Sequence, residues 1–328
     1  MPRVPAGVRG AAITGWGTAL PDQVVTNHDL ERTLATNHEW IVERTGISER
    51  RVGGNTAALS VEAGRQAIER AGLRPGDIDA LVLATTTPDR AVPGTSATVQ
   101  HALGMSCGAY DLNAACSGWV YGLVNAHGLI ALGAEKVLVI GTDTLARITD
   151  WTDRNTAILF ADGSGAAVLE AVEGDGQLLA WDLSADGSAE GALYAELGGK
   201  LQMEGREVFR RAVRIMAESA TASMNAAGVT ADDIALVVPH QANIRIISAS
   251  CERLGIGLDR ASIVLDRTGN TSAASIPLAL ADALDRGRVC QGDLVLFVGF
   301  GAGMTAASAV VRWSAPVPPV RRSGGETT

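Results

Sequence analysis

An internal repeat constrains the fold of this chain more than any other feature of its sequence. Ala80-Leu-Val-Leu is answered by Ala235-Leu-Val-Val, 155 residues further along. Three more pairs recur at nearly the same offset: Gly10–Ile13 with Gly165–Val168, Cys116 with Asn270, and the strand-like segments ending at Gly141 and Gly299. Four such matches predict a chain built from two similar halves, with chance similarity between strands rich in Ala and Val as the alternative.

The repeat also predicts where the chain divides. We expect residues 1–170 to form an N-terminal half and residues 171–313 to form a C-terminal half. Residues 314–328 show neither helical nor strand periodicity, so they are predicted to be a disordered tail.

Short apolar runs indicate the fold class. They do not alternate with polar residues, which is typical of strands buried on both faces of a sheet that helices cover. The runs lie at Ala80–Ala84, Val137–Ile140, Ala157–Phe160, Ala235–Val238 and Leu294–Phe300. Helical patterns at Ala57–Ala71 and Val208–Ala227 lie between them. This order predicts an α/β fold.

Charge and cysteine content exclude several classes of protein. The formal net charge of −9 argues against a general nucleic-acid binder, which needs a basic surface. The four cysteines lack C-x-x-C spacing, so neither a zinc site nor a disulfide framework is predicted, and a reducing cytoplasm is expected. No apolar signal-peptide core follows Met1, and Leu112–Ala134, although uncharged, contains enough Gly and polar residues to predict a buried core helix.

Cys116 is the candidate nucleophile. It follows an apolar-ended segment and precedes Ser-Gly and a long apolar helix, which predicts a turn between a strand and a helix. A helix N-terminus directs N–H groups at the sulfur and lowers a thiol pKa, so we expect a thiolate suited to acyl transfer. A small buried hydrophobe is the alternative, and we assign it to Cys107, Cys251 and Cys290.

His240 and Asn270 are candidate partners of this cysteine. His240 ends a buried strand in Val-Pro-His-Gln-Ala-Asn, and Asn270 lies in the Gly-rich turn Gly-Asn-Thr-Ser-Ala-Ala-Ser. A neutral imidazole and a carboxamide can both donate hydrogen bonds to an enolate oxygen. Structural roles, such as a turn or helix cap for Asn270, are the alternative.

Two glycine clusters are better explained by close backbone approach than by phosphate binding. Asp162–Gly165 and Gly299–Gly303 both lack the spacing of a dinucleotide-binding loop. In the second cluster a backbone N–H is expected to contribute to an oxyanion hole.

Taken together, these motifs resemble the β-ketoacyl-acyl-carrier-protein synthase III family of the thiolase superfamily. The resemblance covers about Gly10 to Trp313, with the motifs in the family's order. They are Thr26-Asn27, Glu39–Ile41, Arg44–Ile47, Thr152–Arg154, Asp162-Gly163, the His240 segment, Thr268–Pro277 and Gly299–Thr305.

The resemblance implies a thiolase fold, layered αβαβα, and a homodimer. It implies that Cys116 takes an acyl group from acyl-CoA, and that His240 and Asn270 promote decarboxylation of malonyl-acyl-carrier protein, giving a 3-oxoacyl product that initiates fatty acid or type II polyketide synthesis. The backbone N–H groups of Cys116 and Ala302 would form the oxyanion hole. No metal and no tightly bound cofactor are expected.

The family pattern also implies substrate contacts. Trp40 and Arg44 resemble a pair that clamps adenine, Arg154 a partner for coenzyme A phosphate, and Phe209 and Asn243 residues that line the tunnel. Phe160 and Val92 are assigned to the acyl pocket. Acetyl-selective relatives carry Phe at the position of Val92, so tolerance of longer or branched acyl groups is expected.

The carrier-protein docking face is expected at Arg210, Arg245 and Arg253. Two features depart from the family there: Glu252 lies where a basic residue is common, and Gly187–Met203 is shorter than in many relatives. A starter-unit acyltransferase of the same fold, which would transfer the acyl group to a carrier protein, hydroxyl or amine without decarboxylation, is an alternative, although the presence of both His240 and Asn270 favours condensation. A non-catalytic partner subunit is another, although it would usually lack the cysteine. The hypotheses that the chain is similar to a chalcone synthase or to a hydroxymethylglutaryl-CoA synthase fit the motifs less well.

Overall fold

The structure is a computed structural model that describes residue 4 and residues 7–174 and 176–314. Its strands are β1 (Gly10–Ala19), β2 (Val24–Thr26), β3 (Glu49–Arg51), β4 (Ala80–Ala84), β5 (Gly108–Leu112), β6 (Lys136–Thr144), β7 (Asp162–Val172), β8 (Leu178–Ser184), β9 (Leu193–Tyr194), β10 (Gln202–Met203), β11 (Ile234–Pro239), β12 (Leu294–Gly301) and β13 (Thr305–Arg312). The predicted tail from residue 315 onward lies outside the described residues.

The α-helices alternate with these strands along the chain. They are α1 (Asn27–Glu31), α2 (His38–Thr45), α3 (Thr56–Arg70), α4 (Thr95–Leu103), α5 (Gly118–Ala131), α6 (Arg154–Ala157), α7 (Gly205–Ala227), α8 (Ile244–Leu254), α9 (Leu265–Thr268) and α10 (Ser275–Asp285). Among the described residues, none of these helices combines the length and hydropathy that crossing a membrane requires.

The two larger sheets have the same strand order. One runs β1-β7-β6-β4-β5 and the other β8-β13-β12-β11. In the first sheet, β6 pairs in parallel with β4 and β4 with β5, whereas β1 with β7 and β7 with β6 are antiparallel. In the second sheet, β12 pairs in parallel with β11, whereas β8 with β13 and β13 with β12 are antiparallel. Beside β11, a single parallel bridge from Val237 to Ala261 takes the place that β5 holds beside β4.

This topology corrects one of the four sequence matches. Gly10–Ile13 and Gly165–Val168 are not equivalent segments, because they lie in β1 and β7, which pair with each other in one sheet. By position in the sheets, β1 corresponds to β8. The match failed because Gly-Ala-Ala is a common composition for strands against which helices pack closely.

Helices cover and separate the two sheets. Helices α5 and α10 lie between them, and their side chains share one core cluster with both inner sheet faces. Trp119 of α5 meets Phe297 of β12 there, with ring centroids 5.4 Å apart. Helices α3 and α4 pack on the outer face of the first sheet, and α7 and α8 on that of the second. The result is five layers, αβαβα, each sheet burying both faces.

Most of the predicted elements are confirmed, and one is wrong. Four of the apolar runs lie in β4, β6, β11 and β12, and the two helical patterns lie in α3 and α7. The run Ala157–Phe160 is not a strand. It begins at the end of α6, a helix that starts because the side chain of Asp153 accepts a hydrogen bond from the backbone N–H of Asn155.

Candidate active site

Three loops meet at one cavity of about 770 Å³. Cys116 lies in the turn before α5, His240 directly follows β11, and Asn270 lies between α9 and α10. All three side chains line the cavity, and they are 9%, 1% and 5% exposed respectively. The carboxyl ends of buried strands and the amino ends of the two central helices therefore direct polar groups into one enclosed space.

The backbone around the cavity is strained. In the described residues, the non-glycine residues with positive φ are Ala115 (47°), Ser272 (51°) and Met304 (44°), and each lies in one of the turns around Cys116, Asn270 and Ala302. Left-handed conformations of such residues cost free energy and cluster at functional sites. Close approach adds a second constraint, since a Cβ atom on Gly301 would lie 2.6 Å from the backbone nitrogen of Cys116.

The thiol of Cys116 differs electrostatically from the sequence-based expectation. Burial raises its pKa to about 12, while a hydrogen bond from the side chain of Ser272 acts to lower it. The helix N-terminus also favours the thiolate. With its pKa at about 12, Cys116 is a neutral thiol at physiological pH.

His240 is a neutral imidazole in this structure. Burial lowers its pKa to about 3, so it carries no charge at physiological pH. Its Nδ1 atom lies 2.7 Å from the Oγ atom of Ser275, and its backbone N–H donates to the carbonyl of Val298 at 2.8 Å. The neighbouring strand β12 therefore fixes the backbone of His240, and the first residue of α10 fixes its ring.

Asn270 is held by hydrogen bonds on both sides. Its backbone N–H donates to the carbonyl of Leu159, and its carbonyl accepts from the N–H of Ala161, both at 2.9 Å. Its side-chain oxygen accepts from the backbone N–H of Ser272 at 3.0 Å. Because that oxygen is used internally, the amide NH₂ group is left to donate into the cavity.

A buried carboxylate, Asp143, joins the first sheet to the turn before α10, behind the site. It is fully buried at the end of β6. One of its oxygens accepts from the backbone N–H groups of Thr86 (2.7 Å) and Thr87 (3.1 Å), and the other from that of Ala273 at 3.1 Å. Asp143 could not be predicted from the sequence, because its role depends on loops that only the fold brings together.

Arginine and tryptophan side chains form the mouth of the cavity. The guanidinium carbons of Arg44 and Arg154 lie 4.7 and 4.6 Å from the ring centroid of Trp40. The side chain of Asn243 caps α8 and donates to the carbonyl of Arg44 at 2.9 Å. These four residues line the same cavity as the three inner ones. Such a stack of cations on an indole suits recognition of a flat, anionic group.

Of the other residues singled out in the sequence, Phe160, Phe209 and Arg245 line the cavity. Arg210 and Arg253 lie outside it, along an adjoining groove of about 540 Å³. The cavity lining also includes residues that were not predicted as site residues from the sequence; these are Thr45, Asn155, Ile158, Leu159, Leu193, Met203, Gly205, Arg206, Val208, Ala242, Ile246 and Phe300. The cluster of three arginines around Phe209 at the start of α7 was the one signal that could have indicated Arg206.

Val92 and Ala302 do not line the cavity of their own chain. Val92 is 83% exposed on the loop before α4. Ala302 follows Gly301, at which a Cβ atom would lie 2.6 Å from the backbone nitrogen of Cys116. Within the described ranges, no cluster of three or more His, Cys, Asp or Glu side chains is arranged to hold a metal ion.

Comparisons with known proteins show the family of the chain. Residues 110–187 match the family model of 3-oxoacyl-[acyl-carrier-protein] synthase III, and residues 224–313 match the model of its C-terminal part. A β-ketoacyl-[acyl-carrier-protein] synthase III of Roseiflexus castenholzii is 49% identical over 93% of this chain and 98% of its own length. The chain belongs to the β-ketoacyl-[acyl-carrier-protein] synthase III family. One from Bacillus cereus is 45% identical over 92% of the chain and 98% of its own length.

Solved structures of the synthase III family share the fold. The enzyme of Aquifex aeolicus superposes with a TM-score of 0.91, at 42% identity over 93% of this chain and all of that one. A priming β-ketosynthase of a polyketide pathway gives 0.89, at 34% identity over 96% of this chain and 99% of that one. The predicted family and thiolase fold are confirmed. This synthase III is an acyl-transferring condensing enzyme, as the sequence predicted.

Proposed function

We propose that the chain condenses an acyl-CoA primer with malonyl-acyl-carrier protein through an acyl thioester on Cys116. The observation that carries this proposal is the convergence of Cys116, His240 and Asn270 on one cavity whose mouth holds the Trp40 stack. We infer that residues 1–170 supply the nucleophile and residues 171–313 the two hydrogen-bond donors. The site would then exist only between the halves.

In the first step, the sulfur of Cys116 attacks the acyl carbonyl and coenzyme A leaves as its thiol. Negative charge develops on the carbonyl oxygen, and the backbone N–H groups of Cys116 and Ala302 would stabilise it. Removing one such donor from an oxyanion hole typically costs about 10²–10³ in rate. The proton of the resting thiol must leave during this step, because burial keeps Cys116 protonated.

In the second step, the malonyl thioester loses carbon dioxide and leaves an enolate. His240 and Asn270 would both donate hydrogen bonds to the thioester oxygen. Both donors are uncharged, the imidazole of His240 because burial lowers its pKa. An uncharged donor stabilises the charge that develops on the thioester oxygen without first forming an ion pair with the malonyl carboxylate. The enolate carbon then attacks the acyl carbonyl carbon on Cys116. The bond from that carbon to the Cys116 sulfur breaks, the sulfur leaves as a thiolate, and a 3-oxoacyl thioester of the carrier protein is released.

The Trp40 stack supports acyl-CoA as the primer. Adenine is flat and can replace one guanidinium group on the indole face, while the displaced arginine gains the phosphates as partners. Arg44 and Arg154 both have this freedom, since neither forms an ion pair with a carboxylate among the described residues.

The carrier protein would dock beside this mouth. Arg210 is paired with Glu207 at 2.8 Å, so its charge is largely compensated. Arg206, Arg245 and Arg253 have no acidic partner in the part of the chain that the structure describes. These three lie near the entrance without a carboxylate partner in that part of the chain, and we propose them as the main contacts of an acidic carrier protein.

A homodimer would place Val92 in a partner's acyl pocket. The outer edge of β5 is unpaired among the described residues, with Tyr110 40% exposed. Asp111 of the same strand accepts hydrogen bonds from the backbone N–H groups of Thr95 and Ser96 at 2.8 and 2.7 Å, which ties the Val92 loop to this edge. Pairing of two β5 edges would therefore bring each Val92 loop to the other subunit.

The test is a primer panel with radiolabelled malonyl-acyl-carrier protein. We expect carbon dioxide release coupled to 3-oxoacyl product, and use of primers longer or more branched than acetyl-CoA. Transfer of acyl groups without carbon dioxide release would indicate a starter-unit acyltransferase, and strict use of acetyl-CoA would reject the role given to Val92. A role in fatty acid synthesis in the reducing cytoplasm fits the free thiols of the described residues.

A further inference from the structure

Arg50 is a buried cation without a counter-ion. It lies in the middle of β3 and is fully buried. No carboxylate lies within ion-pair distance of its guanidinium among the described residues. Burial lowers its pKa to about 10, which still leaves it charged. Keeping an unpaired charge in the interior is costly, so its hydrogen bonds call for a functional explanation.

The guanidinium of Arg50 joins three segments of the first half. Its Nη1 atom donates to the carbonyl of Val25 at 3.1 Å, and its Nη2 atom donates to Oδ1 of Asn27 and to the carbonyl of Ile158, both at 2.9 Å. Asn27 in turn donates to the carbonyl of Ile47 at 2.8 Å, just beyond the helix that carries Trp40.

The contact with Ile158 leads directly to Asn270. The next residue, Leu159, accepts from the backbone N–H of Asn270, and Ala161 donates to its carbonyl. The stem of Arg50 also lies against the Asn270 turn, because a Cβ atom on Gly269 would be 2.9 Å from the Cβ atom of Arg50. Arg50 thus fixes the segment that holds Asn270 and touches the turn that presents it.

We propose that Arg50 is a positioning residue for the decarboxylation step, holding Asn270 through Ile158–Ala161 so that its amide faces the enolate oxygen. This inference rests on the proposed role of Asn270. Arginine is suited to the task because its planar guanidinium group has two terminal nitrogens. Nη2 reaches the carbonyl of Ile158 and the carboxamide oxygen of Asn27, and Nη1 reaches the carbonyl of Val25. Lysine has a single donor atom and cannot hold all three acceptors in the same geometry.

The experiment separates the two half-reactions. Acylation of Cys116 by acyl-CoA is followed by mass spectrometry, and decarboxylation of malonyl-acyl-carrier protein by release of labelled carbon dioxide. Loss of a residue that orients a functional group typically costs about 10–100-fold. For Arg50→Met we expect a fall of that size in kcat for decarboxylation, with KM for malonyl-acyl-carrier protein and the acylation rate within about twofold. For Arg50→Lys we expect a decarboxylation rate between those of Arg50→Met and the unmodified enzyme.

Arg51→Met is the matched control. Arg51 neighbours Arg50 on β3, but it is partly exposed, and it bonds to the carbonyl of Pro21 rather than to the site. We expect no change in either half-reaction. If Arg50→Met fails to fold, the same two half-reactions measured on Arg50→Lys decide whether decarboxylation falls while acylation does not.

Three outcomes would overturn the inference: an unchanged decarboxylation rate in Arg50→Met, an equal fall of both half-reactions, or failure of both Arg50 variants to fold, which would assign a purely structural role. Absence of carbon dioxide release from the unmodified enzyme would instead reject the proposed function itself.

Discussion

The Nδ1 atom of His240 lies 2.7 Å from the hydroxyl oxygen of Ser275, and the same oxygen accepts a hydrogen bond from the backbone N–H of Gln241 at 3.3 Å. Since Gln241 supplies a hydrogen to this oxygen, the Ser275 hydrogen is free to point at Nδ1. Nδ1 then accepts, and the ring hydrogen resides on Nε2. This tautomer provides the N–H donor that the proposed enolate step requires.

We therefore predict that Ser275→Ala lowers the decarboxylation rate about tenfold, because the tautomer is no longer fixed. Acylation of Cys116 by acyl-CoA should change little. Nitrogen NMR of the His240 ring should show Nε2 protonated in the unmodified enzyme and a mixture in the variant. Protonation at Nδ1 in the unmodified enzyme would contradict the assignment.

The resting thiol of Cys116 gives a pH prediction. Because burial raises its pKa to about 12, the thiolate fraction grows about tenfold per pH unit below that value. The rate of alkylation by iodoacetamide should rise continuously from about pH 7 to 9.5, and Ser272→Ala should slow it at every pH. Site-resolved mass spectrometry measures this rate, with the exposed Cys290 as internal reference. A plateau below pH 9 would show that the helix N-terminus outweighs burial.

His240 also links stability to pH. Burial lowers its pKa from 6.5 to about 3, so between these values the unfolded chain binds a proton that the folded chain does not. This depressed pKa makes stability full above about pH 6.5 and progressively smaller as pH falls. At pH 5 the loss from this residue is about 2 kcal/mol. Urea unfolding at pH 7.5 and 5 should show a smaller loss for His240→Gln; an equal loss would contradict the burial argument.

Trp40 should contribute to binding of the nucleotide part of coenzyme A. Removal of a stacking aromatic typically costs about 1–3 kcal/mol, so Trp40→Ala should raise KM for acyl-CoA about tenfold or more at nearly constant kcat. An acyl-N-acetylcysteamine primer, which lacks the nucleotide, is the control and should be unaffected. Equal effects on both primers would mean that Trp40 supports the cavity rather than the nucleotide.

Arg245 should contribute to carrier-protein binding. Its guanidinium carbon lies 5.6 Å from the ring centroid of Phe209, and it has no carboxylate partner among the described residues. Arg245→Glu should raise KM for malonyl-acyl-carrier protein, with an effect that shrinks at high salt. Arg286→Glu, at the far end of α10, reverses a charge away from the cavity and serves as the control. Unchanged affinity for Arg245→Glu would count against this docking face.

The sequence allowed the layered fold and the meeting of Cys116, His240 and Asn270 to be predicted, because each lies in a motif at the end of a regular element. Arg50, Asp143 and Ser275 were missed for a shared reason. They act through backbone atoms of segments far away in sequence, and no local pattern records which carbonyl or N–H a side chain will meet. The sequence shows the helix that follows Cys116 but not how little water reaches the sulfur, so the burial that raises the thiol pKa could not be predicted.

The left-handed residues Ala115 and Ser272 occupy corresponding positions, each three residues before the first residue of a central helix. One turn presents a sulfur, and its counterpart follows a carboxamide. A fold that repeats one unusual turn offers two sites for divergence on a single inherited backbone, so each copy can specialise for one substrate. Both halves contribute to the one core cluster around α5 and α10, so neither half alone would bury its inner sheet face or bring the two turns together.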